Sequence, residues 1–481
     1  MRRLAAVALA FALLPASAAA ESFPVTTTAE SGPGSLRAAL EAANSNPGPD
    51  TIGIGVNGSI DLEEALPTIS DDVRVRGPGA DRLTIRRGAG SFRIFRIVCC
   101  PSVTISGLTI AGGLAERGAG IESTATLALE GVAVTDNEAI ASGGSIAAVE
   151  GAGVLSFGSL TLRESTVSGN RAVASGGTTQ TVASDAGIAS FNPASIERST
   201  IAGNVAEASS PSGEVRAQGG GLGLSGETAA VTSSTIAGNG ALAEGGTPGV
   251  AKGANLLATA ATVVRDTIVA GPRGAASCAF AVVSGGFNID DGTSCGFLQL
   301  TDLDSTNSGL AAGPAANGGT TPTIALLPGS PAVDRGDAFG ISVDQRGFPR
   351  PSDFGAIPNL LGGDGSDVGA FELQDETPPV AKIETGPLPR TRRTVARVTF
   401  SANEPGSRFE CRLDRHASFP CSSPFSRRVS RKRTHLFEVE AIDAAGNRSA
   451  PAWRSWRVLR KRRHHHRHHR HPESHRNHWI T

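Results

Sequence analysis

From residue 105 to 271 the chain is written in short stretches where β-branched residues or leucines alternate with small polar ones. Thr126-Leu127-Ala128-Leu129 and Val132-Ala133-Val134 show the pattern, a period of two in runs too brief for a helix. The stretches recur as a phrase ending in Gly-Asn: Thr166-Val167-Ser168-Gly169-Asn170, Thr200-Ile201-Ala202-Gly203-Asn204 and Thr235-Ile236-Ala237-Gly238-Asn239. Val134-Thr135-Asp136-Asn137 is a variant, and Thr267-Ile268-Val269 a last copy without the Asn. Successive Asn residues fall 33, 34 and 35 positions apart. A second phrase precedes each copy: Gly118-Ala119-Gly120-Ile121, Gly151-Ala152-Gly153-Val154, Asp185-Ala186-Gly187-Ile188 and Gly219-Gly220-Gly221-Leu222. The step from Ile121 to Val134, Val154 to Val167 and Ile188 to Ile201 is 13 each time.

Two phrases locked at one period predict stacked coils, each giving two or three strands to ladders with the coils above and below. Tighter turns of the same kind run from Thr51 to Ile110, so about ten coils are expected, a stack of about 50 Å at about 4.8 Å per coil. Ala/Ser/Gly/Thr stretches such as 172–184 read as loops bulging from one side. Asn137, Asn170, Asn204 and Asn239 share one coil position and predict a structural ladder of amides. Ser35 followed by Leu36-Arg37-Ala38-Ala39-Leu40 supplies an N-cap and helical spacing, an amphipathic lid for the first coil.

Past Thr377-Pro378-Pro379 the pattern changes to longer alternating strands: Ala396–Phe400, Phe409–Leu413 and Leu436–Ala441, then a turn at Asp443-Ala444-Ala445-Gly446-Asn447. The expected division is an export signal over 1–20, a capped parallel β-helix over 21–375, an immunoglobulin-like or fibronectin-like unit over 376–458, and a tail over 459–481. Arg2-Arg3, the apolar run Leu4–Leu14 and Ala18-x-Ala20 carry the export reading, the run being too short to span a bilayer. The 60 glycines and 4% aromatic content argue against a helical bundle and an aromatic-lined sugar cleft. Six cysteines suit an oxidising compartment; by proximity Cys278 pairs with Cys295 and Cys411 with Cys421, while Cys99 and Cys100 are adjacent.

Thr26-Thr27-Thr28-Ala29-Glu30-Ser31-Gly32-Pro33-Gly34-Ser35-Leu36-Arg37 is similar to the opening of bacterial choice-of-anchor Q and related right-handed β-helix surface proteins. Asn317–Asp334, Asp344-Gln345-Arg346-Gly347-Phe348-Pro349-Arg350 and Asp367-Val368-Gly369-Ala370-Phe371-Glu372 resemble that group's carboxyl-terminal pattern. The resemblance covers residues 24–373 and implies an exported, pectin-lyase-like β-helix; it implies no reaction. The Phe409-Glu410-Cys411 and Ala441–Asn447 phrases resemble bacterial immunoglobulin-like modules, whose usual role is spacing or adhesion.

Charge adds a partner class. Net charge is −1, yet residues 376–481 hold 23 Lys+Arg against 9 Asp+Glu, leaving +14 there and −15 elsewhere. Arg390-x-Arg392-Arg393 and Arg427-Arg428-x-x-Arg431-Lys432-Arg433 precede a terminal run containing Arg460, Lys461, Arg462, Arg463, Arg467 and Arg470. For an exported chain this block points to an anionic envelope polymer or glycan, with nucleic acid not expected because aromatic stacking partners are scarce. A solvated tail is the bland alternative. His464, His465, His466, His468, His469 and His471 would take up Ni or Zn weakly.

Catalysis is the competing class, as a polysaccharide lyase or glycoside hydrolase. Hydrolysis needs two carboxylates flanking one bond. Acids along the coils are Glu122, Glu130, Asp136, Glu138, Glu164, Glu197 and Asp266; Glu130, Arg163, Glu197 and Thr232 share one position and read as a solvated face. Asp136 and Glu138 can share a face, with no Arg or Lys expected at neighbouring equivalent positions. Asp290, Asp291, Asp302 and Asp304 are possible Ca ligands but read better as turn formers. Asp334, Asp344, Arg346, Arg350, Asp367 and Glu372 suggest an ion-pair cluster closing the solenoid. No catalytic residue and no cofactor is assigned, and a secreted, monomeric surface protein is expected.

Overall fold

The computed structural model describes residues 20–98, 102–246, 249–258, 261–355, 357–443 and 446–460. Two compact units divide between Gln374 and Asp375. The first is a parallel β-solenoid with three walls. Its first wall is a ten-stranded parallel sheet that starts at Ser22–Val25 and Asp50–Ile54 and ends at Thr262–Arg265 and Val283–Ser284. The second wall has nine strands, including Ala133–Thr135, Thr166–Ser168, Thr200–Ala202 and Thr235–Ala237. The third has six, from Phe95–Ile97 to Leu256–Ala258.

Register follows the repeat. Val134 pairs with Val167, Val167 with Ile201, and Ile201 with Ile236. The period of two turns one set of side chains inward, and Leu127, Val134 and Ile121, one from each wall, are fully buried in one common core. Each such side chain contributes about 1.5–3 kcal/mol of hydrophobic stabilisation.

The stretches expected as loops are strands. Arg171–Ser175 and Gln180–Ser184, with their equivalents in other coils, form a five-stranded and a four-stranded parallel sheet. These face each other across a second core that is nearly all alanine: Ala172, Ala174, Ala183, Ala206, Ala208 and Ala217. Their alternation is real, but a methyl against serine or threonine gives little hydrophobic contrast, so it reads as a loop.

Both lateral features of the first unit have identifiable causes. The helix Leu36–Ser45 starts where Ser35 Oγ accepts from Ala38 N at 3.2 Å, and it buries Leu36, Ala39, Leu40 and Ala43 against the first coil. The described residues of 305–373 contain no strand and run back along the outside of the second wall as a strap. Thr166, Thr200 and Thr235 stack on that outer face and are buried beneath it. Thr200 Oγ1 donates to Gln345 Oε1 at 2.6 Å, Gln345 Nε2 donates to Thr166 Oγ1 at 2.9 Å, and Ala370 N donates to Thr235 Oγ1 at 3.1 Å.

The second unit is a small antiparallel β-sandwich. Ala381–Thr385, Val395–Ala402 and Phe425–Arg428 make one sheet; Arg390–Thr391, Ala452–Val458, Thr434–Ile442, Arg408–Leu413 and Phe419–Cys421 make the other, in that order. Val398, Phe400, Phe437, Val439 and Trp456 fill its core. Among the described residues no helix is long and apolar enough to cross a membrane.

Candidate polyanion-binding surface

The basic phrases of the second unit meet at one end of its strands. Val395 pairs with Arg428 and Ala396 with Arg427, which sets Arg392 and Arg393 beside the turn that carries Arg431, Lys432 and Arg433. Arg431 Nη1 donates to the Arg392 carbonyl at 3.3 Å. Lys432 N donates to Val458 O at 2.7 Å, and Leu459 N to Thr391 O at 2.8 Å, so the chain leaves toward Arg460 from the same place. Arg390 pairs with Arg457 on the adjoining edge.

Every one of these cations is exposed, and none forms an ion pair among the described residues. Like charges held this close on rigid strands and short turns repel, and a bound polyanion relieves that repulsion while releasing counter-ions. Lys461, Arg462, Arg463, Arg467, Arg470 and the histidines 464–471 lie outside the described residues, as do the segment 1–19 and Cys99 and Cys100.

The solenoid carries a cleft of about 860 Å³ between the second wall and the strap. Its floor is Ala202, Ala237 and Ala270 with Gly203, Gly238 and Gly271, and its far side is 305–314 with Ile324. Arg273 and Asp291 are its charged lining residues, and Asp291 Oδ2 accepts from Gly271 N at 2.5 Å.

Several of the coil acids are held in ion pairs. Arg171 lies one coil above Glu138 and bonds it at 3.0 Å, then bonds Glu207 at 2.8 Å; the expectation that no cation neighbours Glu138 is therefore corrected. Arg198 bridges Glu164 at 3.0 Å and Glu197 at 3.1 Å, and Glu122 is held by Arg93 with Arg96 and Arg117 nearby. Glu130 and Asp136 are exposed. Asp290 accepts from Gly292 N and Cys295 N, and Asp302 from Asn288 N and Gln299 N, so these carboxylates organise turns.

The six charged residues of the carboxyl-terminal pattern gather inside the strap and fasten it to the wall. Arg350 is fully buried; it bonds Asp266 Oδ2 at 2.5 Å and the Gly369 carbonyl at 2.7 Å, with Glu372 at 3.5 Å. Asp367 accepts from Asp334 N, and Asp344 accepts from Arg346 N and Glu372 N. Arg346 lies 3.7 Å from the Phe371 ring centre. Burial pushes the Glu372 carboxyl up to about 8 and Asp367 to about 7, against the pull of Arg350. The cluster seals a flank of the stack, where Asp266 sits at a corner with φ +50°, instead of its end.

Cys278–Cys295 and Cys411–Cys421 are disulfide-bonded. Asn137 Nδ2 donates to Asn170 Oδ1 at 2.9 Å, Asn170 to Asn204 at 2.8 Å and Asn204 to Asn239 at 2.9 Å, all fully buried. Two features escaped the sequence reading. Ser165, Ser199, Ser234 and Thr267 form a second ladder, in which the backbone N–H of each of the three serines meets the next hydroxyl at 3.2–3.4 Å; the Ser-Thr pair before Val167, Ile201 and Ile236 was its signal. Asp375, Glu404 and Asp443, far apart in sequence, converge in the second unit.

No family model, curated protein or solved structure matches the chain.

Proposed function

We propose that this chain is an exported surface protein of the pectin-lyase-like, choice-of-anchor type, and that its second unit and tail hold anionic envelope polymers or glycans. The observation that carries the reading is the cluster of unpaired exposed cations at Arg392, Arg393, Arg428 and Arg431–Arg433, next to the point where the chain continues into its His/Arg-rich run. Two disulfides support an oxidising, extracellular setting. Asp50, 1% exposed, accepts from Glu21 N at 2.9 Å, which suits a mature chain beginning at Glu21 after removal of residues 1–20.

A polysaccharide-cleaving role finds less support. The cleft offers one carboxylate where hydrolysis requires two. Full-length protein and a chain lacking residues 459–481 would be compared for retention on cells and on an anionic resin, and screened on an array of acidic and neutral glycans. Salt-sensitive retention of acidic polymers, weakened by the deletion, is the expected result; equal retention of both chains at low salt, or release of unsaturated products or reducing ends, would overturn it.

A further inference from the structure

The second unit is electrically polarised along two of its strands. Val395–Ala402 and Thr434–Ile442 each begin at the basic end and finish beside an acid: Glu404 follows the first and Asp443 the second. Asp375, at the start of the unit, joins them, and one oxygen from each of the three lies within 4.8 Å of the others. From this geometry we infer a calcium site formed by Asp375, Glu404 and Asp443.

Convergence of carboxylates alone would not carry this. The second observation is an uncompensated buried oxygen. Asp443 is 7% exposed; its Oδ1 accepts from Asn447 N at 2.7 Å, while its Oδ2 is buried without a hydrogen-bond partner. Glu404 Oε2 is likewise buried and unpartnered. Neither residue forms an ion pair among the described residues. Buried oxygens left without donors are costly, and a cation satisfies them together.

The donor set selects the ion. All three ligands are hard carboxylate oxygens, with no nitrogen or sulfur, which suits Ca²⁺ over Zn²⁺ or Cu²⁺. Oxygens on opposite sides of a Ca²⁺ ion are about 4.8 Å apart, twice a bond of about 2.4 Å, whereas Mg²⁺ at about 2.1 Å needs about 4.2 Å. The three oxygens lie within the calcium span. Asn447 fastens the arrangement, donating from Nδ2 to the Asp375 carbonyl at 2.8 Å, so the site ties the first residue of the unit to the end of its central strand.

The test uses the full chain, melted in 1 mM CaCl₂, in 1 mM MgCl₂ and in EDTA, with Ca²⁺ titrated calorimetrically. Calcium should raise the second unit's transition by about 5–10 °C and magnesium by less. Glu404→Gln and Asp443→Asn should each abolish most of that shift. In EDTA both variants should melt at or above the parent, because each removes a repelling charge. Identical parent melts in calcium and EDTA, or variants that keep the full calcium shift, would overturn the site.

Discussion

Asn239 Nδ2 donates to Asn255 Oδ1 at 3.0 Å, although Asn255 belongs to the third-wall phrase, where the other coils carry glycine. Gly120, Gly153, Gly187 and Gly221 lie against the ladder amide of their own coil; at Gly221 an added Cβ would come 2.8 Å from Asn239 Nδ2. The last coil has Pro272 one register step beyond Asn239 and so lacks that amide. Asn255 fills the space from the neighbouring strand and extends the ladder to Ser277.

Asn255→Gly restores the residue the other coils use, so local backbone preference makes it harmless. The ladder makes it costly, since Asn239 N loses its acceptor and Asn239 Nδ2, which still donates to Ile201 O, loses one of its two. We expect a loss of about 2 kcal/mol, and about 3 kcal/mol for Asn204→Ala in mid-ladder, read from the urea midpoint of the solenoid transition. A neutral Asn255→Gly would remove the argument.

Arg350→Met leaves the buried Asp266 carboxylate without its cation and frees the strap from its wall. A destabilisation of about 3–5 kcal/mol is expected. Limited proteolysis should then cut within 305–373 before the coils; unchanged cleavage would show that the strap is held by other contacts.

Asp185 occupies a corner where other coils place Gly118, Gly151, Gly219 or Gly253, at φ +54°, with Oδ1 buried and unpartnered. Burial and the charge of Glu150 raise its carboxyl well above 3.8. The folded state therefore keeps a proton that the unfolded chain gives up. Its stabilising contribution is full below about pH 3.8 and is lost as pH rises toward the raised folded value. Asp185→Asn, which stays neutral and tolerates this φ, should gain on the parent between pH 4 and pH 8. Parallel melting profiles across that range would contradict the assignment.

Cleavage before Glu21 would turn its amide into an ammonium at 2.9 Å from Asp50, whose Oδ2 is also buried and unpartnered. The α-amino group should then titrate above its usual range of about 7.7–8.0, and its stabilisation should fade as pH rises through the elevated value. Mass spectrometry of the protein recovered from the culture medium checks the terminus, and the protein's absence from the medium would remove the export reading. Asp50→Asn should return the amine to its ordinary titration; an amine already ordinary in the parent would refute the pairing.

The coil period, the aliphatic core and the four-Asn ladder were readable because each repeats at a fixed offset with strong residue contrast, as Val134, Val167 and Ile201 show. The two sheets around the alanine core were not, because Ala172 and Ser175 differ too little in hydropathy to announce an inside and an outside. The strap was half readable: its charged residues stood out, but nothing local to Gln345 points to Thr166 or Thr200, which lie some 145–179 positions away. The carboxylate trio was hidden for the same reason, its members being separated by whole strands.

The most direct measurement is the salt dependence of binding between the full chain and a soluble anionic polysaccharide. The parent should lose affinity steeply and linearly on a log–log plot as salt rises from 50 to about 200 mM, following counter-ion release. Replacing Arg431, Lys432 and Arg433 with serine should weaken binding at low salt and flatten that slope. A variant with the parent's affinity and slope would contradict the account.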